Sequence, residues 1–280
     1  MESGARPESL RLRQVYRDPP GLFARELPST NDTLKKLVLA EEPEPFTSLL
    51  CGRQTRGRGR PGNTWSSAHG DLAMSLWLPS GGGEGPLPLS LFVAGACLEA
   101  LSDVPGVRWK YPNDLCRELS KVPGGDEAPS VGKLGGILVE PLRREGLIRG
   151  HVAGIGINLT ADRPSVSLAE GALPMATLFP SSLTPLSLSR RIVLALRSLL
   201  ARGEGALRES LDRHLLWRGR WVAYTIETGE TGSSGLLLGR IEGLSEAGHL
   251  QVRAPDGELR LLPPHVRTLR PVEKSGGGDG

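Results

Sequence analysis

The chain has 280 residues, 38% of them hydrophobic and 23% charged, with a formal net charge of +3. That is an ordinary soluble composition, long enough for one large and one small core. Aromatic residues at 4% leave little from which to build a base-stacking surface, and the slight basic excess is far from the dense positive face of a DNA-binding domain.

Cys51, Cys97 and Cys116 are odd in number and widely spaced, so they give neither a disulfide framework nor a CxxC metal pair. The opening MESGARPESLRLRQVYRDPPG lacks the apolar core of a signal peptide. No apolar run approaches the roughly 20 residues needed to cross a bilayer. The expectation is a cytoplasmic protein without a membrane segment.

Residues 1–26 are polar and rich in Pro and Arg, and read as a loose lead-in. Ser29-Thr30-Asn31-Asp32 supplies helix N-cap types, and Leu34, Leu37 and Val38 follow at helical spacing, which predicts a helix over 31–41. Residues 46–51 (FTSLLC) predict a buried strand. The loop GRQTRGRGRPGNTW comes next, then a strand over 72–78 (LAMSLWL) and the loop GGGEGP.

Apolar residues at helical spacing predict a buried helix over 89–101, and strands are expected at 106–111, 134–141 and 147–158. Two helices, 186–200 and 204–217, follow. Beyond Trp217 short alternating runs separated by Gly, Asp-Gly and Pro turns describe a small all-β module. The expected organisation is therefore a lead-in at 1–26, a mixed α/β body over 27–217, a β module over 218–272 and a flexible tail over 273–280.

The loop GRGRPG over 57–62 satisfies GxGxxG, but a strand-like segment follows it where a dinucleotide-binding fold needs a helix. It also approaches GxxxxGK[ST]. Asn63 stands in the lysine position, however, so the phosphate contact of a P-loop is missing. Two readings stay open. A stretch with Arg53, Arg56, Arg58 and Arg60 among glycines can be a solvated surface loop, or a loop that folds over an anionic ligand. In the second case glycines admit close backbone approach and guanidinium groups clamp carboxylate or phosphate.

Three further segments carry the same ambiguity. KYPNDL (110–115) gathers a lysine, an amide and a carboxylate around a proline. KLGGILVE (133–140) sets a lysine ahead of two glycines at the mouth of an apolar strand. GIGINL (154–159) has glycines inside a strand, which weaken it unless something must pack closely against the sheet.

Taken in order, STN, QTxGRGRxGxxW, KYPNDL, KLGGILVE and GIGIN resemble the biotin–protein ligase family over residues 27–271. The resemblance implies an α+β fold. A mixed sheet flanked by helices, akin to the class II aminoacyl-tRNA synthetase core, would be followed by an SH3-like C-terminal barrel. It also implies a ligase that adenylates biotin with ATP and passes biotin to a lysine of a biotin carboxyl carrier protein, with Mg²⁺.

By the same resemblance Ser29, Thr30, Asn31 and Gln54 would face biotin's ureido ring, with Gly57, Arg58, Lys133, Gly135 and Gly136 also on the biotin side. Arg58, Gly59, Arg60, Trp65, Lys110, Asn113 and Asn158 would serve ATP. Lys133, Arg58, Arg60, Lys110 and Asp114 would carry the chemistry, Asp114 as the group that orients or deprotonates the attacking lysine. No side chains are expected to form a metal site of their own.

Departures from the family pattern are Arg56 for a small residue, Asn63 for Arg, Tyr111 for Trp, and a surface insertion over 116–131. With 28 residues ahead of Ser29, a DNA-binding winged helix is not expected; neither is a DNA partner, and a homodimer stays open. The rivals are a lipoate–protein ligase, which shares the fold, and a catalytically silent binding protein.

Overall fold

The computed structural model describes residues 12–60, 62–80, 87–119, 131–160, 173, 175–178, 182–225, 235–264 and 266–272. The expected tail over 273–280, the loop over 81–86 and most of the insertion over 116–131 lie outside them.

Eight strands form one mixed sheet in the order β1-β2-β3-β4-β8-β7-β6-β5. They are β1 (Arg13–Tyr16), β2 (Gly21–Ala24), β3 (Ser48–Cys51), β4 (Leu72–Pro79), β5 (Val107–Lys110), β6 (Asp114–Glu118), β7 (Val131–Arg144) and β8 (Leu147–Ile157). The β2–β3 pair is parallel, and helix α1 (Thr30–Glu41) makes that crossover. The other pairs are antiparallel.

Strand β4 is buried along nearly all its length because both faces of the sheet are covered. Leu72, Met74 and Leu76 point with Ala153, Ile155 and Ile157 of β8 into the layer under helices α2 (Leu89–Ala100) and α3 (Pro185–Arg202). Ala73, Trp77 and Val152 turn to the opposite face, which α1 covers with Leu34, Leu37 and Val38. The two-residue period of a strand therefore decides which residues can reach α1.

Helix α4 (Glu204–His214) leads to a second, five-stranded antiparallel sheet in the order β12-β11-β10-β9-β13. Its strands are β9 (Trp221–Thr225), β10 (Leu237–Leu244), β11 (Leu250–Arg253), β12 (Leu259–Leu262) and β13 (Arg267–Pro271). The two sheets and their helices give the expected α+β architecture, and the second sheet is consistent with an SH3-like domain.

Two expectations need correction, and the strand expected over 106–111 is present as β5, with the KYPNDL turn feeding directly into β6 as a hairpin. The lead-in over 1–26 carries β1 and β2, which join the sheet through the β2–β3 ladder, with a Tyr16–Ser48 hydroxyl contact beside it. The last helix stops at His214, where Leu216 N–H turns to Trp109 O at 2.8 Å and ties the chain to the edge of the large sheet.

Candidate active site

One cavity of about 540 Å³ opens between the arginine loop, the sheet face beside α1 and the second sheet. Its lining gathers Ser29, Thr30, Asn31, Gln54, Arg58, Gly59, Arg60, Trp65, Lys110, Asn113, Asp114, Lys133, Gly136 and Asn158 from widely separated parts of the chain. Gly57 and Gly135 are the two expected site residues that are not on the lining. A Cβ at Gly57 would lie 2.3 Å from Trp65 O, and one at Gly135 2.5 Å from Gly156 O. Both glycines serve close backbone approach in the wall.

At one end the start of α1 presents hydroxyl and amide groups. Ser29 caps the helix, its Oγ accepting from Asp32 N. Gln54 Oε1 accepts from Thr30 N (2.8 Å) and Thr30 Oγ1 (3.1 Å), which orients the loop against the helix. Fully buried Ser75 of β4 donates to Thr30 Oγ1 and Asn31 Oδ1; one hydroxyl hydrogen is shared between these acceptors. Asn31 Nδ2 donates to Glu140 Oε2 at 2.8 Å. Both ends of the Asn31 amide are thus engaged within the protein.

The glycines of GIGIN explain this packing. Gly154 lies under Asn31, and Gly156 lies under the Trp65 ring, where a Cβ would sit 2.3 Å from Trp65 Cε2. These are the close approaches that glycine inside a strand makes room for.

The other end is cationic. Lys133 Nζ meets Asp114 Oδ1 at 2.7 Å across the β6–β7 ladder. Lys110 lies 5.6 Å from the centroid of the Trp217 ring. Burial pulls the Lys110 pKa down, partly countered by Asp114 and reinforced by Lys133 and Arg270. Arg60 reaches Pro264 O at 3.3 Å, and Val266 and Leu269 close the cavity from the second sheet. Tyr111 joins the two sheets, its hydroxyl donating to Leu262 O at 3.0 Å.

Asn158 is buried behind Lys133. Its Nδ2 donates to Lys133 O (3.3 Å) and Ala176 O (3.1 Å), while its Oδ1 is buried without a partner. Trp65 Nε1 and Ser67 Oγ, also on lining residues, are likewise buried and unpartnered.

Asp114 is the only carboxylate among the described lining residues. Among the described residues no three His, Cys, Asp or Glu side chains come together as a metal cluster. A magnesium ion would fit as Mg²⁺ often binds, on one carboxylate plus substrate phosphates. The cysteines are free and buried, and burial pushes the Cys51 and Cys116 thiols up to about 12, so neither is a ready thiolate.

Sequence reasoning missed Ser75, Glu140, Asp71, Val266 and Leu269. Ser75 had a signal, as the one polar residue in the apolar strand LAMSLWL. Buried Asp71 had none. Its carboxylate accepts from Ala68 N (2.6 Å) and Leu159 N (2.9 Å), tying the loop's exit to the end of β8.

The fold is that of the biotin protein ligases. The structure of "Biotin protein ligase from Aquifex aeolicus in complex with biotin and ATP" superposes with a TM-score of 0.66 at 24% identity, covering 90% of this chain and 99% of that one. Residues 22–158 match the model of the biotin/lipoate A/B protein ligase family. Among curated proteins it is 26% identical to human biotin–protein ligase over 87% of this chain and 33% of that one. It is 28% identical to the biotin–[acetyl-CoA-carboxylase] ligase of Paracoccus denitrificans over 75% and 85% of the two chains. The chain thus spans about a third of the human relative's length.

Proposed function

We propose that the protein is a biotin–protein ligase: it adenylates biotin with ATP and Mg²⁺, then transfers biotin to a lysine of a biotin carboxyl carrier protein. The observation that carries this reading is the polarity of the cavity. A neutral hydroxyl–amide end suits a ureido group, which offers two donors and one acceptor. A cationic end with a single carboxylate suits phosphates.

The first step brings together two anions, the biotin carboxylate and the α-phosphate. Fixed positive charge from Lys133, Lys110 and Arg60 offsets that repulsion. The carboxylate oxygen bonds to the α-phosphorus and pyrophosphate leaves. Mg²⁺, held by Asp114 and Asn113 oxygens with the phosphates, would supply further charge stabilisation. Asn158 commits both its amide hydrogens to the backbone, which fixes the wall on the nucleotide side. Trp65 offers an aromatic wall beside it. In the second step Asp114 orients the neutral amine of the acceptor lysine and takes its proton, as the nitrogen bonds to the acyl carbon and AMP leaves.

Gln54, Thr30 and Ser29 form the biotin end, with Asn31 behind them. None of the described helices is long and apolar enough to cross a membrane, and a cytoplasmic location is part of this reading. The reading takes no DNA partner, and the lining residues described all come from one chain.

Incubation with a biotin carboxyl carrier domain, biotin and Mg-ATP tests the reading by mass spectrometry of the carrier. One added biotinyl group on its lysine is expected. A lipoyl group added from lipoate in place of biotin would move the protein to the sister activity.

A further inference from the structure

The side chain of Arg58 does not reach toward the cationic end of the cavity. Its Nη2 meets Asp32 Oδ1 at 2.6 Å, on the first turn of α1, and Glu140 Oε2 at 2.8 Å, on β7. The same Glu140 oxygen accepts from Asn31 Nδ2 (2.8 Å) and pairs with Lys35 Nζ (3.1 Å). Two carboxylates and two cations thus form a neutral cluster where the arginine loop crosses α1.

Burial would push the Glu140 carboxyl up, yet the bonds from Asn31 and Lys35 and the charges of Lys35 and Arg58 hold it below its ordinary value. The carboxylate is ionised and in use. The cluster adjoins the start of α1, whose Thr30 is already bonded to Gln54 of the same loop.

We propose that Arg58 is a positioning residue: through Asp32 and Glu140 it latches the glycine–arginine loop onto α1 and β7, so that the loop is seated over the hydroxyl–amide end before any phosphate arrives. Arg60, two residues on, is then the loop's guanidinium for the phosphates. The latch itself is read from the contacts alone; only its kinetic consequence rests on the proposed function. Arg58 and Asp32 are 41% and 48% exposed, so each ion pair is modest and screened by salt.

The test uses the full chain without ligand and then in the adenylation assay. Trypsin can cut after Arg53, Arg56 and Arg58, whereas Pro61 protects the bond after Arg60. Asp32→Asn removes one latch partner without touching Asn31. Glu140→Gln removes the charge of the other, leaving one neutral amide oxygen for Arg58, Asn31 and Lys35 to share. Each variant is expected to speed cleavage of this loop about two- to fivefold, as does added salt in the parent protein.

In biotin-dependent pyrophosphate exchange each raises the KM for biotin by a similar factor, with kcat held within about twofold. Unchanged loop cleavage in both variants would overturn the latch, whatever exchange does. Faster cleavage with an unchanged biotin KM would overturn the positioning role. Failure of the parent protein to exchange at all would count against the proposed function and leave the cleavage result to judge the latch.

Discussion

Gly154 and Gly156 are two residues apart on β8 and face the same side of the sheet, yet each supports a different end of the cavity. In Gly154→Ala the new Cβ would sit 2.5 Å from Asn31 Oδ1 and 3.1 Å from its Nδ2. In Gly156→Ala it would sit 2.3 to 2.6 Å from Cε2, Cζ2 and Nε1 of Trp65. Ordinary contact lies at about 3.5–4.0 Å, so either neighbour must retreat by about an ångström. Overpacking of this kind costs about 1–3 kcal/mol.

If that cost falls on the bound state, affinity at the affected end drops roughly fivefold to a hundredfold, at about 1.4 kcal/mol per tenfold. Displacing Asn31 also breaks its bonds to Ser75 and Glu140, each worth about 0.5–1.5 kcal/mol. Gly154→Ala should therefore raise the KM for biotin and Gly156→Ala the KM for ATP, each leaving the other KM within about twofold in biotin-dependent pyrophosphate exchange. Calorimetry of both variants separates local from global loss of structure. Two folded variants whose KM values move together, or in the crossed sense, would refute the assignment of the two ends.

Other perturbations probe single groups. Lys133→Ala should lower exchange by about 10²–10³-fold, the scale of a lost charge-stabilising group, and a loss below tenfold would remove its role. Tyr111→Phe deletes the bond to Leu262 O, about 1 kcal/mol. It should lower Tm by roughly 2–4 °C, and an unchanged Tm would mean that this bond does not couple the sheets. Burial raises the Asp212 carboxyl above its usual 3.8, with Arg218 and the Leu244 N–H only partly countering it. The folded state then binds its proton more tightly than the unfolded state, so the destabilisation is full above the folded pKa and gone below the unfolded one. Asp212→Asn should raise Tm at pH 7 and lose that gain below about pH 4; a lower Tm at pH 7 would contradict it.

The buried elements were legible because their patterns are local. LAMSLWL and the α1 and α2 segments carry period and composition within themselves. β1 and β2 were not, since RQVY and GLFA are short and become strands only by pairing with each other and with β3. The same distinction runs through the site. Motif residues such as Lys133, Asp114 and Gln54 stand out by type and order. The Arg58–Glu140 contact, the Ser75 hydroxyl under Asn31, and the Val266 and Leu269 wall depend on pairings between distant segments. Glycines were readable as close-approach positions, but only the fold identifies Asn31 and Trp65 as what approaches.

The most direct test of the central claim is exchange of labelled pyrophosphate into ATP by the purified protein with Mg²⁺, run in parallel with biotin, lipoate and octanoate. The account predicts exchange that depends on biotin and is lost in Lys133→Ala. Exchange with lipoate but not biotin, or with none of the three acids, would contradict it.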